Sequence, residues 1–129
     1  MKNFIVLIVL AIPPFFCNAQ SSGELNRCSS VMLLGATVAQ MSLKSAPPYA
    51  RDKYEKQTQF FFQGNLNLKK KARASLSYVG DKAFEDSSFE GLKDMQKQIH
   101  DGLLSTEAVN QSLRDCMSMA GLNFADYPR

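Results

Sequence analysis

The sequence contains no tryptophan, one histidine and three cysteines, and these shortages narrow the chemistry that it can support. A zinc site built from cysteine and histidine alone is hard to assemble from so few ligands. The glycines form neither a G-x-G-x-x-G motif nor a Walker loop, and the H-E-x-x-H and G-x-S-x-G motifs are missing. We therefore predict a protein that is not an enzyme, with no catalytic residue, no metal and no cofactor.

A large excess of one charge sign is also missing. Lysine and arginine number 15, and aspartate and glutamate number 12, which gives a net charge of +3 over 129 residues. So small an excess does not indicate a nucleic-acid partner. Hydrophobic residues make up 45% and charged residues 21%, which is the balance of a folded globular chain, and the length suits one domain.

Residues 1–19 have the order of a secretory signal peptide. A lysine precedes the apolar run of residues 4–12, two prolines follow the run, and Cys17 and Ala19 are small residues at the positions that cleavage requires. We predict cleavage after Ala19, which removes one lysine and lowers the net charge from +3 to +2. Residues 20–129 are then a single helical domain.

Two alternatives to a cleaved leader are a membrane anchor and a lipoprotein acylated at Cys17. A spanning helix needs about 20 apolar residues, and the run of residues 4–12 is about half as long. Acylation of Cys17 normally requires a small residue before it, where this chain has the large Phe16. We therefore predict export, to the periplasm or by secretion, and no transmembrane segment in the mature chain.

Cleavage leaves two cysteines, Cys28 and Cys116, which lie 88 positions apart. Two cysteines allow a single intramolecular pairing, and an exported chain meets an oxidising compartment where disulfides persist. Closing so long a loop stabilises a fold by about 4–5 kcal/mol in the loop-entropy model. We predict a Cys28–Cys116 disulfide, and the alternative is two separately buried thiols.

Apolar and small residues recur at helical spacing through the mature chain, which predicts an all-α bundle of four to five helices. The first helix covers residues 25–43 and is expected to end before Pro47. The second is expected to begin at Pro48. Gly64 and Asn65 form a weak break, so this segment is either one kinked helix or two.

The helical period resumes after this break and is expected to end at Gly80, with these residues on one stripe: Leu68, Ala72, Leu76 and Val79. Ser87 and Glu90 have capping-box spacing, which predicts that the next helix begins at Ser87. Its buried face is expected at Phe89, Leu92, Gln96 and Ile99, with Met95 beside them.

The last helix is expected to begin after Ser105, a good N-cap residue, and to stop at Gly121. Its buried stripe is predicted at Val109, Leu113, Cys116 and Ala120. No stretch alternates as a strand would. The disulfide would then dock the first and last helices together.

Three consecutive phenylalanines, Phe60, Phe61 and Phe62, are the main candidate for a binding feature. They sweep about 200° of a helix, whereas a buried stripe is usually a little over 100° wide. Phe61 shares a stripe with Tyr54 and Leu68, so it is the predicted core residue. One of its neighbours must face elsewhere, either a second helix or an exposed apolar patch that binds a partner.

The only cluster of like charge is basic, and it suits an acidic partner, a phosphate or an anionic membrane, or else a solvated helix face. Together with the aromatic residues it completes the candidate binding surface: Tyr54, Phe60, Phe62, Lys69, Lys70, Lys71 and Arg73.

The format of the mature chain resembles that of several groups of small bacterial envelope proteins, including periplasmic immunity proteins and acid-stress chaperones. The resemblance is one of size, helix content and a single long-range disulfide, and it carries no residue role over. It implies a protein that binds another envelope protein in an immunity, inhibitor or chaperone-like role. The alternative is a small-ligand or lipid-binding module, which a cavity lined by residues 60–62 would favour over a flat exposed patch.

Overall fold

The computed structural model describes residues 22–129, which form four α-helices and no strand. The helices are α1 (Ser22–Ser45), α2 (Pro48–Arg73), α3 (Asp81–His100) and α4 (Thr106–Met119), and a single 3-10 turn (Phe124–Asp126) follows. The all-α prediction is confirmed, with four helices. None of the described helices is both long and apolar enough to cross a membrane. The predicted signal peptide lies outside the described residues.

Helix α1 is the centre of the fold, and the other three helices pack around it. Every residue from 28 to 36 is buried, so α1 has no solvent face in this stretch. A helix that is covered on all sides must be apolar or have its polar groups satisfied. The buried stretch carries two polar side chains, Ser29 and Ser30, and no buried side-chain nitrogen or oxygen in residues 22–129 lacks a hydrogen-bond partner.

Helices α1 and α2 approach each other closely through two glycines. A Cβ atom on Gly35 of α1 would lie 2.7 Å from the ring of Phe61 in α2, and one on Gly64 of α2 would lie 2.7 Å from the Sδ atom of Met32. Both distances are too short for a real side chain. Gly64 therefore serves close packing and does not break α2, which is one helix.

The predicted disulfide is confirmed. Cys28 in α1 and Cys116 in α4 are bonded, their Cα atoms are 5.1 Å apart, and both side chains are fully buried. The disulfide fixes α4 against α1.

The predicted extension of α2 through Leu76 and Val79 is wrong. The helix ends at Arg73, and both apolar side chains are exposed in the connection to α3. The hydroxyl groups of Ser75 and Ser77 are 2.8 Å apart, and the backbone N–H of Ser77 donates to the Ser75 hydroxyl. Such local bonds from serine compete with the helical backbone pattern.

The predicted start of the third helix at Ser87 is also wrong, because α3 begins six residues earlier, at Asp81. Gly80 precedes it with a φ of 114°, a conformation that glycine adopts readily and that turns the chain into the helix. Ser87 is inside the helix, and its hydroxyl donates to Oδ1 of Asn26 in α1 over 2.8 Å.

The buried face of α3 differs from the prediction as well. Phe89 and Ile99 are exposed, and Leu92 is the one expected core residue that is buried. Ser88 takes the place of Phe89 in the core, because its backbone carbonyl accepts a hydrogen bond from Ser30 of α1 over 2.8 Å. The side chains of α3 that are buried in the core are Phe84, Ser88 and Leu92, and Met95 is half-buried beside them.

The limits predicted for α4 are confirmed. The Ser105 hydroxyl accepts the N–H of Ala108 over 3.1 Å, and Gly121 follows the helix with a φ of 72°. Cys116 and Ala120 are buried as expected, while Val109 and Leu113 are partly buried.

Candidate functional site

The three phenylalanines have three different environments. Phe61 is 4% exposed and belongs to the core, as predicted, whereas Phe62 is 40% exposed. Phe60 is half-buried and packs against the edge of the core. The expectation that the two flanking residues differ is therefore confirmed, and Phe62 is the exposed one.

The C-terminal tail covers the side of α2 that carries Phe60. The ring of Tyr127 lies 5.4 Å from that of Phe60 and 5.7 Å from that of Phe61, between ring centroids. Gln57 Nε2 donates to the carbonyl oxygen of Pro128 over 2.8 Å, and burial raises the pKa of Tyr127. The sequence did not predict this contact between the tail and α2, because an aromatic residue beyond the last helix belongs to no periodic stripe.

Phe62 lines a groove between α2 and α3, which we name the α2–α3 groove. Its exposed apolar residues are Phe62 and Leu66 from α2, with Leu66 58% exposed, and Phe89 from α3, which is 53% exposed. Leu33 of α1 is at its floor, and its volume is about 290 Å³. Of the predicted surface aromatics, only Phe62 lies here. Leu66 was not singled out by the sequence, and Phe89 was predicted to be in the core.

The groove is closed at the end where α2 stops and α3 begins. Lys69 pairs with Glu85 across this end and lies 3.9 Å from Asp81. The Arg73 guanidinium donates to both carboxylate oxygens of Asp81, over 2.9 Å and 2.6 Å, and Tyr78 also donates to that carboxylate. These hydrogen bonds, the one from Arg73 first, hold the pKa of Asp81 well below its ordinary range.

The basic cluster is therefore divided among several directions. Lys69 and Arg73 face α3, while Lys71 Nζ donates to the carbonyl oxygen of Met119 at the end of α4. Lys70 is exposed and forms no ion pair within residues 22–129. That the cluster forms a binding surface stays a prediction, and Lys70 is an exposed member that forms no ion pair among the described residues.

A second concave site lies among the four helices and the tail, and we name it the tail cleft. Its volume is about 300 Å³. The residues around it are Leu34, Gly35, Val38, Ala39, Ser42, Gln57, Phe61, Ile99, Thr106, Val109, Asn110, Leu113 and Tyr127. Of the three phenylalanines, only Phe61 lines it, so residues 60–62 do not share one cavity among the clefts described here.

No group of three or more His, Cys, Asp and Glu residues within 22–129 is placed to hold a metal ion. His100 is exposed at the end of α3, and the acidic residues of α3 are all exposed. No protein-family model matches this chain, and no curated protein or solved structure matches it significantly.

Proposed function

We propose that this protein is exported and acts without catalysis, by binding an amphipathic helix of another envelope protein in the α2–α3 groove. One observation carries the proposal: exposed apolar side chains from two helices, Phe62, Leu66 and Phe89, converge on one groove. Exposed apolar patches of this kind mark interaction surfaces. Immunity, inhibitor and chaperone-like roles all rest on such binding.

The shape of the groove supports a helical occupant. Helices α2 and α3 hardly touch, so the space between them is open above the Lys69–Glu85 pair. Phe62 and Leu66 are one helical turn apart and present a continuous apolar wall, with Leu33 beneath. Helix-in-groove recognition uses a few apolar anchors in this arrangement, and aromatic anchors contribute most.

The disulfide supports the proposed export and the proposed binding role. Disulfides form and persist in oxidising compartments, so the Cys28–Cys116 bond is compatible with export to the periplasm or the medium. It also fixes α4 on α1, on the side of the fold away from the groove. A scaffold that is already rigid loses less conformational entropy when it binds.

The test is site-resolved photo-crosslinking in the cells that express the protein. A photoreactive residue at Leu66, inside the groove, is compared with one at Leu103, which is also an exposed leucine, 77% against 58%, but lies in the connection between α3 and α4. We expect one discrete adduct from position 66 and none from position 103. Phe89→Ser should reduce the adduct at position 66.

Equal adducts from both positions, or an adduct that Phe89→Ser leaves unchanged, would contradict the groove as the binding site. An adduct of twice the mass of the chain would show that the occupant is a second copy and not a different protein.

A further inference from the structure

The tail cleft has a physical origin that is independent of the α2–α3 groove. Helix α1 presents two small residues to it, Gly35 and Ala39, and α4 is only 14 residues long. Helices α2 and α4 barely meet, and Tyr127 closes the gap between them from the tail. The result is a cleft whose walls come from all four helices, with Ile99 as the contribution of α3, and from the C-terminal segment.

The chemistry of the walls is apolar and uncharged. Most of the surface comes from aliphatic and aromatic side chains, including Leu34, Val38, Phe61, Val109 and Leu113. Four polar residues line it, Ser42, Gln57, Thr106 and Asn110, and none of the 13 lining residues carries a charge. A charged ligand would lose its hydration here without gaining a counter-ion, which is costly.

Two other clefts differ in this respect. The α2–α3 groove includes Lys69 and Glu85, and the cleft between α3 and the first turns of α1 includes Arg27, Glu90 and Asp94. The absence of charge therefore distinguishes the tail cleft from these two, and it is shared by a shallower cleft between the start of α1 and the connection before α3. The side chain of Asn110 forms no hydrogen bond within residues 22–129, so its amide is available at the exposed rim to orient a single polar group.

Volume limits the size of the occupant. Ligand pockets usually measure about 300–1,000 Å³, so this cleft lies at the small end of that range. A closed apolar cavity of about 150 Å³ accommodates benzene. We propose that the tail cleft binds a small, uncharged, mainly apolar molecule of about the size of two aromatic rings.

The probe for this proposal is N-phenyl-1-naphthylamine, an uncharged fluorophore that joins a naphthyl and a phenyl group and brightens in apolar surroundings. It is titrated into the disulfide-bonded protein. We expect saturable binding of one probe per chain. The anionic analogue 1-anilinonaphthalene-8-sulfonate should bind about tenfold more weakly or worse, because its sulfonate finds no counter-charge.

A matched pair of variants tests whether the probe binds in the tail cleft. Val38 lines the cleft and is 55% exposed, whereas Met41 is 64% exposed on the same helix and does not line it. Val38→Phe should weaken binding about tenfold, because the added ring occupies the space of the probe. Met41→Phe should leave the affinity unchanged. Ser42→Leu, at the same rim, gives a second filling variant if Val38→Phe lowers the melting temperature.

Two results would overturn the proposal: no saturable binding of the uncharged probe, or equal affinity in the filling variants and Met41→Phe. The variant Phe89→Ser separates this site from the α2–α3 groove, since it should leave probe affinity unchanged. If Phe89→Ser removes probe binding while Val38→Phe does not, the probe occupies the groove, and the tail cleft is not a ligand site.

Discussion

The two sides of α2 are built differently. On the side that faces α1, Phe61 lies over Gly35 and Gly64 lies over Met32, at distances that leave no room for another methyl group. On the side that faces α3, ion pairs join the two helices at one end, and the apolar residues Phe62 and Leu66 above them are exposed. One helix thus presents a close-packed face and an open one.

This difference separates the residues that hold the fold from those that are available for binding. A fully buried apolar side chain contributes about 1.5–3 kcal/mol through burial alone, whereas ion pairs at the surface contribute little. Stability should therefore depend on contacts centred on α1, and changes in the α2–α3 groove should be tolerated.

Loss of the Cys28–Cys116 bond should have the largest effect. Both half-cystines are buried and connect α1 to α4, so the bond stabilises the contacts centred on α1. Reduction should lower the free energy of unfolding by about 4–5 kcal/mol, the value for closing a loop of this length. Urea unfolding with and without reductant measures it. A loss below about 1 kcal/mol would mean that packing on α1 holds the fold without the staple.

Gly35→Ala should be destabilising, although alanine is the better helix former. The new Cβ would lie 2.7 Å from two carbons of the Phe61 ring, and overpacking of this kind costs about 1–3 kcal/mol. Gly23→Ala is the matched control, because Gly23 is exposed in the same helix. That change should be neutral or stabilise by up to about 1 kcal/mol. Equal melting temperatures for the two variants would show that α1 and α2 are not closely packed.

Low pH should destabilise the fold through the contact between α2 and α3, and this effect should be smaller than that of either change above. The hydrogen bonds from Arg73 and Tyr78 lower the pKa of Asp81 below its ordinary value of 3.8. The ionised carboxylate therefore stabilises the fold above that pH, and this contribution is lost as the pH falls below it. Asp81→Asn should lower the melting temperature at about pH 7 and make its decline toward about pH 3 shallower.

The effect of Asp81→Asn should be small and should shrink further in high salt, because the Arg73–Asp81 pair is exposed. A loss as large as that from reducing the disulfide would contradict the contrast between the two sides of α2.

Elements whose limits depend on local chemistry could be predicted from the sequence. Pro47 and Pro48 mark the end of α1 and the start of α2, and Ser105 caps α4, because each acts on its own backbone. The disulfide could be predicted because only one pairing was possible. These predictions did not require knowing which helices pack against each other.

Features that depend on a partner element could not be predicted. The buried face of α3 carries Ser88 and not Phe89, because Asn26 and Ser30 of α1 offer hydrogen bonds to that face. The sequence predicted that a neighbour of Phe61 faces away from the main core, toward a second helix or an exposed patch, but not which neighbour. That choice depends on Tyr127, which returns from the tail and covers Phe60.

The most direct test of the account compares Phe61→Ala with Phe62→Ser in the same unfolding experiment. Phe61→Ala should cost about 3–5 kcal/mol, as truncations in packed cores do, because its side chain is buried over Gly35. Phe62→Ser should cost about 1 kcal/mol or less and should remove the crosslinked adduct from position 66. If the two variants are equally destabilised, Phe62 is part of the core and α2 has no open face.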